Sequence, residues 1–129
     1  MGVLEQDFMK ALMLALGSRQ GIRIHRQNTG GVEVYRKGRV VGHFEAGPPT
    51  GAADLSGIVG PEGWRIEIEI KSAKAVDLEA QGNWKRMILA HGGIHVHTRY
   101  VEALTMQENV EATVKAIEIA IADHRRSRR

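Results

Sequence analysis

The stretch DLSGIVGPEGWRIEIEIK, from Asp54 to Lys71, decides the fold that this sequence predicts. Its second half, Trp64 to Lys71, alternates strictly between apolar and charged residues, which is the period of a β-strand. Its first half, Asp54 to Val59, predicts a second strand, and the intervening Gly60-Pro61-Glu62-Gly63 is typical of a type I turn. The stretch therefore predicts a β-hairpin with one apolar face and one charged face.

The register of this hairpin follows from pairing the two turn glycines with each other. Leu55 then faces Ile68, and the apolar residues of both strands lie on the same side of the sheet. A shift of one residue would move one strand's apolar residues to the charged side, so this register is strongly favoured. It also places Asp54 directly opposite Glu69 on the charged side.

Apolar spacing predicts further elements on both sides of the hairpin. The predicted helices are Leu4–Leu16, Val76–Ala90 and Gln107–His124, and the other predicted strands are Ile22–Arg26, Val32–Tyr35, Arg39–Phe44 and Ile94–Thr98. Gly47-Pro48-Pro49-Thr50-Gly51 is predicted to be a loop, because two prolines exclude a helix interior or a central strand. The order of the elements favours a mixed α/β fold around one sheet.

Length and composition limit the class of protein. The 129 residues, 43% of them hydrophobic, predict one domain over 1–124 and a basic tail over 125–129. Without the four arginines of that tail, 14 basic and 15 acidic residues remain, so the body is nearly neutral and the tail either contacts phosphates or is solvated. The absence of cysteine excludes disulfides, thiolate metal sites and a cysteine nucleophile.

The same composition gives no indication of a membrane protein. No apolar run approaches the roughly 20 residues that a transmembrane helix needs. The first ten residues already carry Glu5 and Asp7, so they do not resemble a signal peptide. A cytoplasmic protein without membrane contact is therefore expected.

The facing carboxylates of Asp54 and Glu69 are the first indication of chemistry. Directly opposed residues in an antiparallel pair have Cβ atoms about 4.5–5.5 Å apart, and like charges there are destabilising unless a cation lies between them. Carboxylate oxygens are the ligands that Mg²⁺ and Mn²⁺ prefer. Lys71 lies on the same face, where it could orient an attacking water or stabilise a pentavalent phosphate.

Each of these residues also has a purely structural interpretation. The charged face of the strand could simply be solvated, and Lys71 could only balance a neighbouring carboxylate. Gln81 and Lys85 lie one turn apart on the predicted helix and could face one cleft, although a lone glutamine is more often a structural hydrogen-bonding residue. His95 and His97 alternate on a strand, without a partner at metal-ligand spacing, and are interpreted as strand residues.

Several short motifs occur in a fixed order along the chain. They are RQNTG at 26–30, GAADL at 51–55, EIKS at 69–72 with Gln81 after it, and GGI at 92–94. This set resembles the virus-type replication-repair nuclease (VRR-NUC) domain of the PD-(D/E)XK nuclease superfamily, from about Glu5 to Ala103. The resemblance implies a restriction-endonuclease-like three-layer core, with a central mixed β-sheet flanked by helices.

The resemblance also implies residue roles. The implied metal ligands are Asp54, Glu69, Glu5 and the backbone carbonyl of Ile70, and the implied catalytic set is Asp54, Glu69, Lys71 and Gln81. Asp7 is the alternative to Glu5, and the implied cofactor is Mg²⁺ or Mn²⁺. Ala53 stands where the family has proline, a position that supplies no ligand. Glu67 is an additional acid that either supports a second metal indirectly or pairs with Arg65 or Lys71.

The function implied is that of a metal-dependent DNA endonuclease. It would be structure-specific, in the manner of a Holliday-junction resolvase, and act as a homodimer on branched DNA in the cytoplasm, at the nucleoid or in a phage-infected cell. One alternative is a non-catalytic DNA-binding module of the same fold, whose DNA binding survives loss of Glu69. A second is a structural protein with an ion-pair network of Asp54, Glu69, Lys71 and Arg65, which predicts no metal-dependent thermal shift.

Overall fold

A computed structural model describes residues 3–27, 30–46, 51–72, 76 and 78–129 of the chain. The helices are α1 (Val3–Gly17), α2 (Glu79–Ala90) and α3 (Met106–Ser127). The strands are β1 (Ile22–Arg26), β2 (Gly30–Arg36), β3 (Arg39–Ala46), β4 (Leu55–Val59), β5 (Trp64–Lys71) and β6 (Ile94–Arg99). Asn28 and Thr29 of the RQNTG motif, and residues 47–50 of the predicted loop, lie outside the described residues.

Four of the strands form a central mixed sheet in the order β1-β4-β5-β6. The β1–β4 and β4–β5 pairs are antiparallel, and β5 pairs with β6 in parallel. The predicted register is confirmed, because Leu55 pairs with Ile68 and Val59 pairs with Trp64. Strands β2 and β3 pair only with each other, as a separate two-stranded sheet.

The turn between β4 and β5 differs from the type I turn that the sequence predicts. A type I turn would join the Gly63 N–H to the carbonyl of Gly60, three residues earlier. The Gly63 N–H instead donates to the Val59 carbonyl at 2.8 Å, which closes a wider turn. The register is unaffected, since it is set by the apolar faces of the two strands and not by the turn type.

Helices cover the sheet on both faces. Helices α1 and α3 lie together on the apolar face, and α2 lies on the charged face. The core on the apolar face includes Phe8, Leu12 and Leu16 from α1, Leu55 and Val59 from β4, Ile66 and Ile68 from β5, Val96 from β6, and Val114 and Ile117 from α3. The predicted mixed α/β fold with helices flanking a central mixed sheet is confirmed.

Two helix boundaries differ from the prediction by more than one residue. Helix α2 begins at Glu79 and not at Val76, because the Gln81 side chain accepts the Leu78 N–H at 3.0 Å and so forms the capping interaction of a helix start. Helix α3 continues to Ser127, so Arg125 belongs to the helix and not to a tail. Its guanidinium donates to Glu62 Oε2 at 2.6 Å and to the carbonyl of Gly60 at 2.9 Å.

Helix α3 is 22 residues long, and charged residues occur along its length. Neither α3 nor any other helix in the described part of the chain is long and apolar enough to cross a membrane. The long amphipathic helix instead uses its apolar side, including Val114 and Ile117, to cover the sheet.

Gly57 of β4 lies where no side chain fits. A Cβ atom there would lie 1.9 Å from the Arg23 carbonyl oxygen and 2.8 Å from Ile24 Cδ1, both in β1. We therefore expect Gly57→Ala to lower the free energy of unfolding, measured by urea denaturation, by about 2–3 kcal/mol. Gly17→Ala is the matched control, because a Cβ there meets nothing within 4 Å. Equal stability of the two variants would contradict the β1–β4 pairing.

Candidate active site

The charged face of β5 is buried. Glu67 is 0% exposed, and Glu69 and Lys71 are each 6% exposed, whereas Arg65 at the start of the strand is exposed. The alternative of a solvated charged face is therefore wrong for three of the four residues. A charged group removed from water is costly unless it is hydrogen-bonded or paired, so the neighbours of each one determine its role.

Asp54 and Glu69 lie beside each other, as their predicted register requires, because Leu55 pairs with Ile68. Asp54 lies just before β4, and its Oδ2 accepts the Ile70 N–H at 2.8 Å. The Glu69 side chain lies close enough to the Asp54 carboxyl to affect its pKa. Two carboxylates this close cannot both be ionised cheaply, so the contact needs either a shared proton or a cation.

The environment of Asp54 also identifies its acidic neighbour on α1. Burial raises the pKa of the Asp54 carboxyl above its ordinary value, and the negative charge of Glu5 acts in the same direction. The Ile70 N–H, the Glu69 side chain and the Lys71 charge oppose this rise in pKa. Glu5 is half-buried near Asp54, while Asp7 is exposed, so the structure brings Glu5 and not Asp7 toward the pair.

Gln81 links the other predicted site residues. Its Oε1 accepts hydrogen bonds from the Lys71 ammonium and, at 3.0 Å, from the Leu78 N–H. Its Nε2 donates to Glu69 Oε1 at 3.1 Å, and the Lys71 Nζ lies 3.9 Å from the same oxygen. One glutamine therefore caps α2 and fixes the separation between the lysine and the carboxylate.

A glycine allows the chain before Asp54 to approach α2. Gly51 has a φ of +99°, a conformation that residues with a Cβ rarely adopt. A Cβ there would lie 2.4 Å from the carbonyl oxygen of Ala80, in the first turn of α2. The segment that carries Asp54 is thus packed against the helix that carries Gln81.

Glu67 occupies a second polar cluster on the same face. Its carboxylate accepts hydrogen bonds from Gln27 Nε2 at 2.9 and 3.1 Å and from Trp84 Nε1 at 2.5 Å, and Arg65 lies 3.6 Å away. Of the predicted roles for Glu67, the structure therefore supports pairing with Arg65. No local pattern in the sequence indicates a role for Gln27, whereas Trp84 lies three residues after Gln81, on the same side of α2.

A cavity of about 380 Å³ opens beside Glu69. Its other lining residues include Gln81 and Lys85 from α2, as the sequence predicts, and His95 and His97 from β6. A larger cavity of about 420 Å³ lies between the ends of α1 and α3. Its charged side chains, such as Arg19, are engaged in surface ion pairs, so the smaller cavity is the better candidate for chemistry.

The carboxylates of Asp54 and Glu69 fit a divalent cation only if water molecules complete its coordination shell. Within the described residues, no three Asp, Glu or His side chains come together closely enough to hold a metal ion. Mg²⁺ commonly retains several waters and uses one or two carboxylates of the protein. Asp54 and Glu69 match that requirement, and Glu5 stands nearby without completing a three-residue group.

Comparison with protein-family models finds no matching family, and a search of curated proteins finds no match. The resemblance of the sequence motifs to VRR-NUC domains therefore stays a prediction. The function has to be argued from the arrangement of Asp54, Glu69, Lys71 and Gln81.

The imidazole of His95 gives a pH-dependent prediction. Its Nδ1 is buried and accepts or donates no hydrogen bond among the described residues. Burial, helped by the charge of Lys85, lowers the pKa of His95 from 6.5 to about 4. The unfolded chain then binds this proton more readily than the folded chain, so acidification favours unfolding.

We expect the stability that comes from neutral His95 to be complete above pH 6.5 and to be lost as the pH falls toward about 4. A His95→Gln variant should lose less of its free energy of unfolding over this interval, measured by urea denaturation at each pH. His25→Gln, at an exposed position of β1, is the control and should keep the wild-type profile. Parallel profiles for wild type and His95→Gln would refute the prediction.

Proposed function

We propose that the protein is a Mg²⁺- or Mn²⁺-dependent DNA endonuclease of the VRR-NUC type. The single observation that carries this proposal is that Asp54 and Glu69 lie beside each other at the end of β5, with Lys71 held next to Glu69 by Gln81. Facing carboxylates are destabilising by themselves, so their burial against each other is best explained by a cation that binds between them.

Each residue of the Asp54, Glu69, Lys71 and Gln81 cluster would have its own role in phosphodiester hydrolysis. Asp54, Glu69 and the Ile70 carbonyl would hold the cation, which would stabilise negative charge on the phosphate oxygens. The Lys71 ammonium would orient the attacking water or stabilise the negative charge on the oxygens of the pentavalent phosphate. Gln81 is a positioning residue, since it holds Lys71 and Glu69 without needing to touch the phosphate.

DNA as the substrate, and branched DNA in particular, is inferred from the sequence motifs. A symmetric homodimer would present two such sites to the two strands of a junction. The location that we propose for this activity is the cytoplasm. The cations that line the cavity beside Glu69, Lys85 and Arg86, support an anionic substrate there.

The direct test is cleavage of labelled DNA in Mg²⁺, Mn²⁺ or EDTA, with a four-way junction, a flap, a duplex and a single strand as substrates. We expect metal-dependent cleavage, with symmetric nicks in the junction, and a loss of at least roughly 10²-fold in Glu69→Gln and in Lys71→Met. Glu102→Gln, at an exposed loop position, is the matched control and should retain full activity.

The same assay distinguishes the proposed nuclease from a non-catalytic DNA-binding module. If wild type and Glu69→Gln bind DNA equally and neither cleaves any substrate in either metal, the protein is a binding module. Circular dichroism of each variant must first match the wild type, so that lost activity is not lost folding.

A stability measurement distinguishes a metal site from an ion-pair network. Asparagine at position 54 keeps an oxygen for the Ile70 N–H but removes one of two touching carboxyl groups. In EDTA we expect Asp54→Asn to raise the melting temperature by about 3–5 °C, equivalent to roughly 1 kcal/mol. The rise in melting temperature that Mn²⁺ produces in the wild type should be lost.

The control for this measurement is Asp123→Asn, which alters an exposed carboxylate paired with Arg126. It should leave both the melting temperature in EDTA and the Mn²⁺ effect nearly unchanged. A lower melting temperature for Asp54→Asn in EDTA, with no Mn²⁺ effect in the wild type, would instead support the ion-pair network.

A further inference from the structure

Strands β2 and β3 form a hairpin arm, defined as residues 30–46, that is separate from the central sheet. Within the described part of the chain, neither strand packs extensively against another helix or strand. An isolated two-stranded hairpin is marginally stable in water, because it lacks a covered face. The arm is therefore a candidate for contact with a partner.

The tip of the arm has a fixed shape. Lys37 has a φ of 53° and Gly38 a φ of 76°, which are the two positive values of a type I′ turn. This turn matches the twist of the flanking strands, so the tip is presented as a defined two-stranded ribbon.

The tip is also cationic and exposed. Residues 35–42, YRKGRVVG, carry three positive charges and no acidic residue. Arg36, Lys37 and Arg39 are all exposed, and Tyr35 and Val41 are 63% and 59% exposed. An exposed ribbon end with this charge is complementary to a polyanion and not to a second cationic tip.

The arm leaves the body of the protein beside the candidate active site. Gln27, three residues before β2, donates its backbone N–H to the Asp54 carbonyl at 2.9 Å and its side chain to Glu67. On the other side, Gly51 packs against α2 just before Asp54. Strand β3 has eight residues, so the arm spans about 26 Å at the usual rise per residue. Nucleic acid bound at Asp54 therefore passes within reach of the arm.

We propose that the hairpin arm binds duplex DNA next to the phosphate held at Asp54 and Glu69. The ribbon enters the major groove, which is about 12 Å wide and admits a two-stranded β-ribbon. Arg36, Lys37 and Arg39 contact backbone phosphates at the groove edge. The position of the DNA in this inference rests on the proposed nuclease function. What the inference adds is that the arm binds the duplex that flanks the cleavage point.

The test replaces the three tip cations together, by Arg36→Gln, Lys37→Asn and Arg39→Gln. Asparagine is chosen at position 37 because it tolerates a positive φ. The control triple variant is Lys10→Gln, Arg23→Gln and Lys115→Gln, which removes the same charge from exposed positions elsewhere. Because the arm is separate from the core, both variants should fold, and their thermal melts check this directly.

Binding of a labelled duplex is measured by fluorescence anisotropy in EDTA, over a series of NaCl concentrations. Three phosphate contacts predict that the slope of log Kd against log salt falls by about 2–3 in the arm variant. The duplex affinity at low salt should fall by at least about tenfold. The control triple variant should change this slope by less than about 0.9, which is the contribution of one phosphate contact.

The outcomes separate this inference from the proposed function. If the wild type cleaves DNA but the arm variant keeps the wild-type slope, the arm inference is overturned and the nuclease function stands. If the arm variant loses binding but the wild type never cleaves, the nuclease function fails, duplex binding by the arm stands, and its placement next to a phosphate held at Asp54 and Glu69 is overturned. A wild type that does not bind duplex at all overturns the arm inference. The arm inference is also overturned if the arm variant changes the sedimentation of the protein but not the slope of log Kd against log salt. The arm would then contact a second copy of the protein and not DNA.

Discussion

The hydrogen bonds of Gln81 are the constraint on which the candidate active site depends. Helix α2 can cover the charged face of β5 only if the charges beneath it have partners, because an unpaired buried charge costs several kcal/mol. Gln81 provides them, since it accepts from Lys71, donates to Glu69 and accepts the Leu78 N–H that begins the helix. The helix start and the polar cluster therefore stabilise each other, and neither would be formed in the same way alone.

The topology of the sheet explains why the polar groups meet at one end of β5. The antiparallel partner, β4, begins beside the end of β5, which places Asp54 against Glu69 and Ile70. The parallel partner, β6, runs in the same direction and sets His97 beside Glu69. A strand with two antiparallel neighbours would bring the opposite end of a neighbouring strand to this position. The mixed sheet thus brings three strands together at the end of β5, and two of them, β5 and β6, line the cavity together with α2.

The parts of this arrangement that the sequence predicts are those set by local pattern. The alternation of Trp64 to Lys71 and the apolar match with Leu55 predict the register, and the register alone predicts the Asp54–Glu69 contact. The burial of that face was not predictable in the same way, because a charged strand face is usually solvated. The missing information was long-range: Gln27 lies 40 residues from Glu67, and nothing local indicates that they hydrogen-bond. The start of α2 and the end of α3 differ from the prediction for a related reason. Side-chain bonds, from Leu78 to Gln81 and from Arg125 to Glu62, accompany these two helix ends.

Glu67 and Glu69 show how neighbours, and not burial, separate a structural carboxylate from a chemical one. The two lie two residues apart on the same face of β5, and both are buried. Glu67 is surrounded by donors from Gln27, Trp84 and Arg65, so its charge is balanced by the protein itself. Glu69 also has Gln81 and Lys71 near it, but it faces a second acid, Asp54, whose pKa is raised by burial. The proximity of two acids beside a held lysine is the physical reason for proposing that Glu69 takes part in the chemistry and that Glu67 is structural.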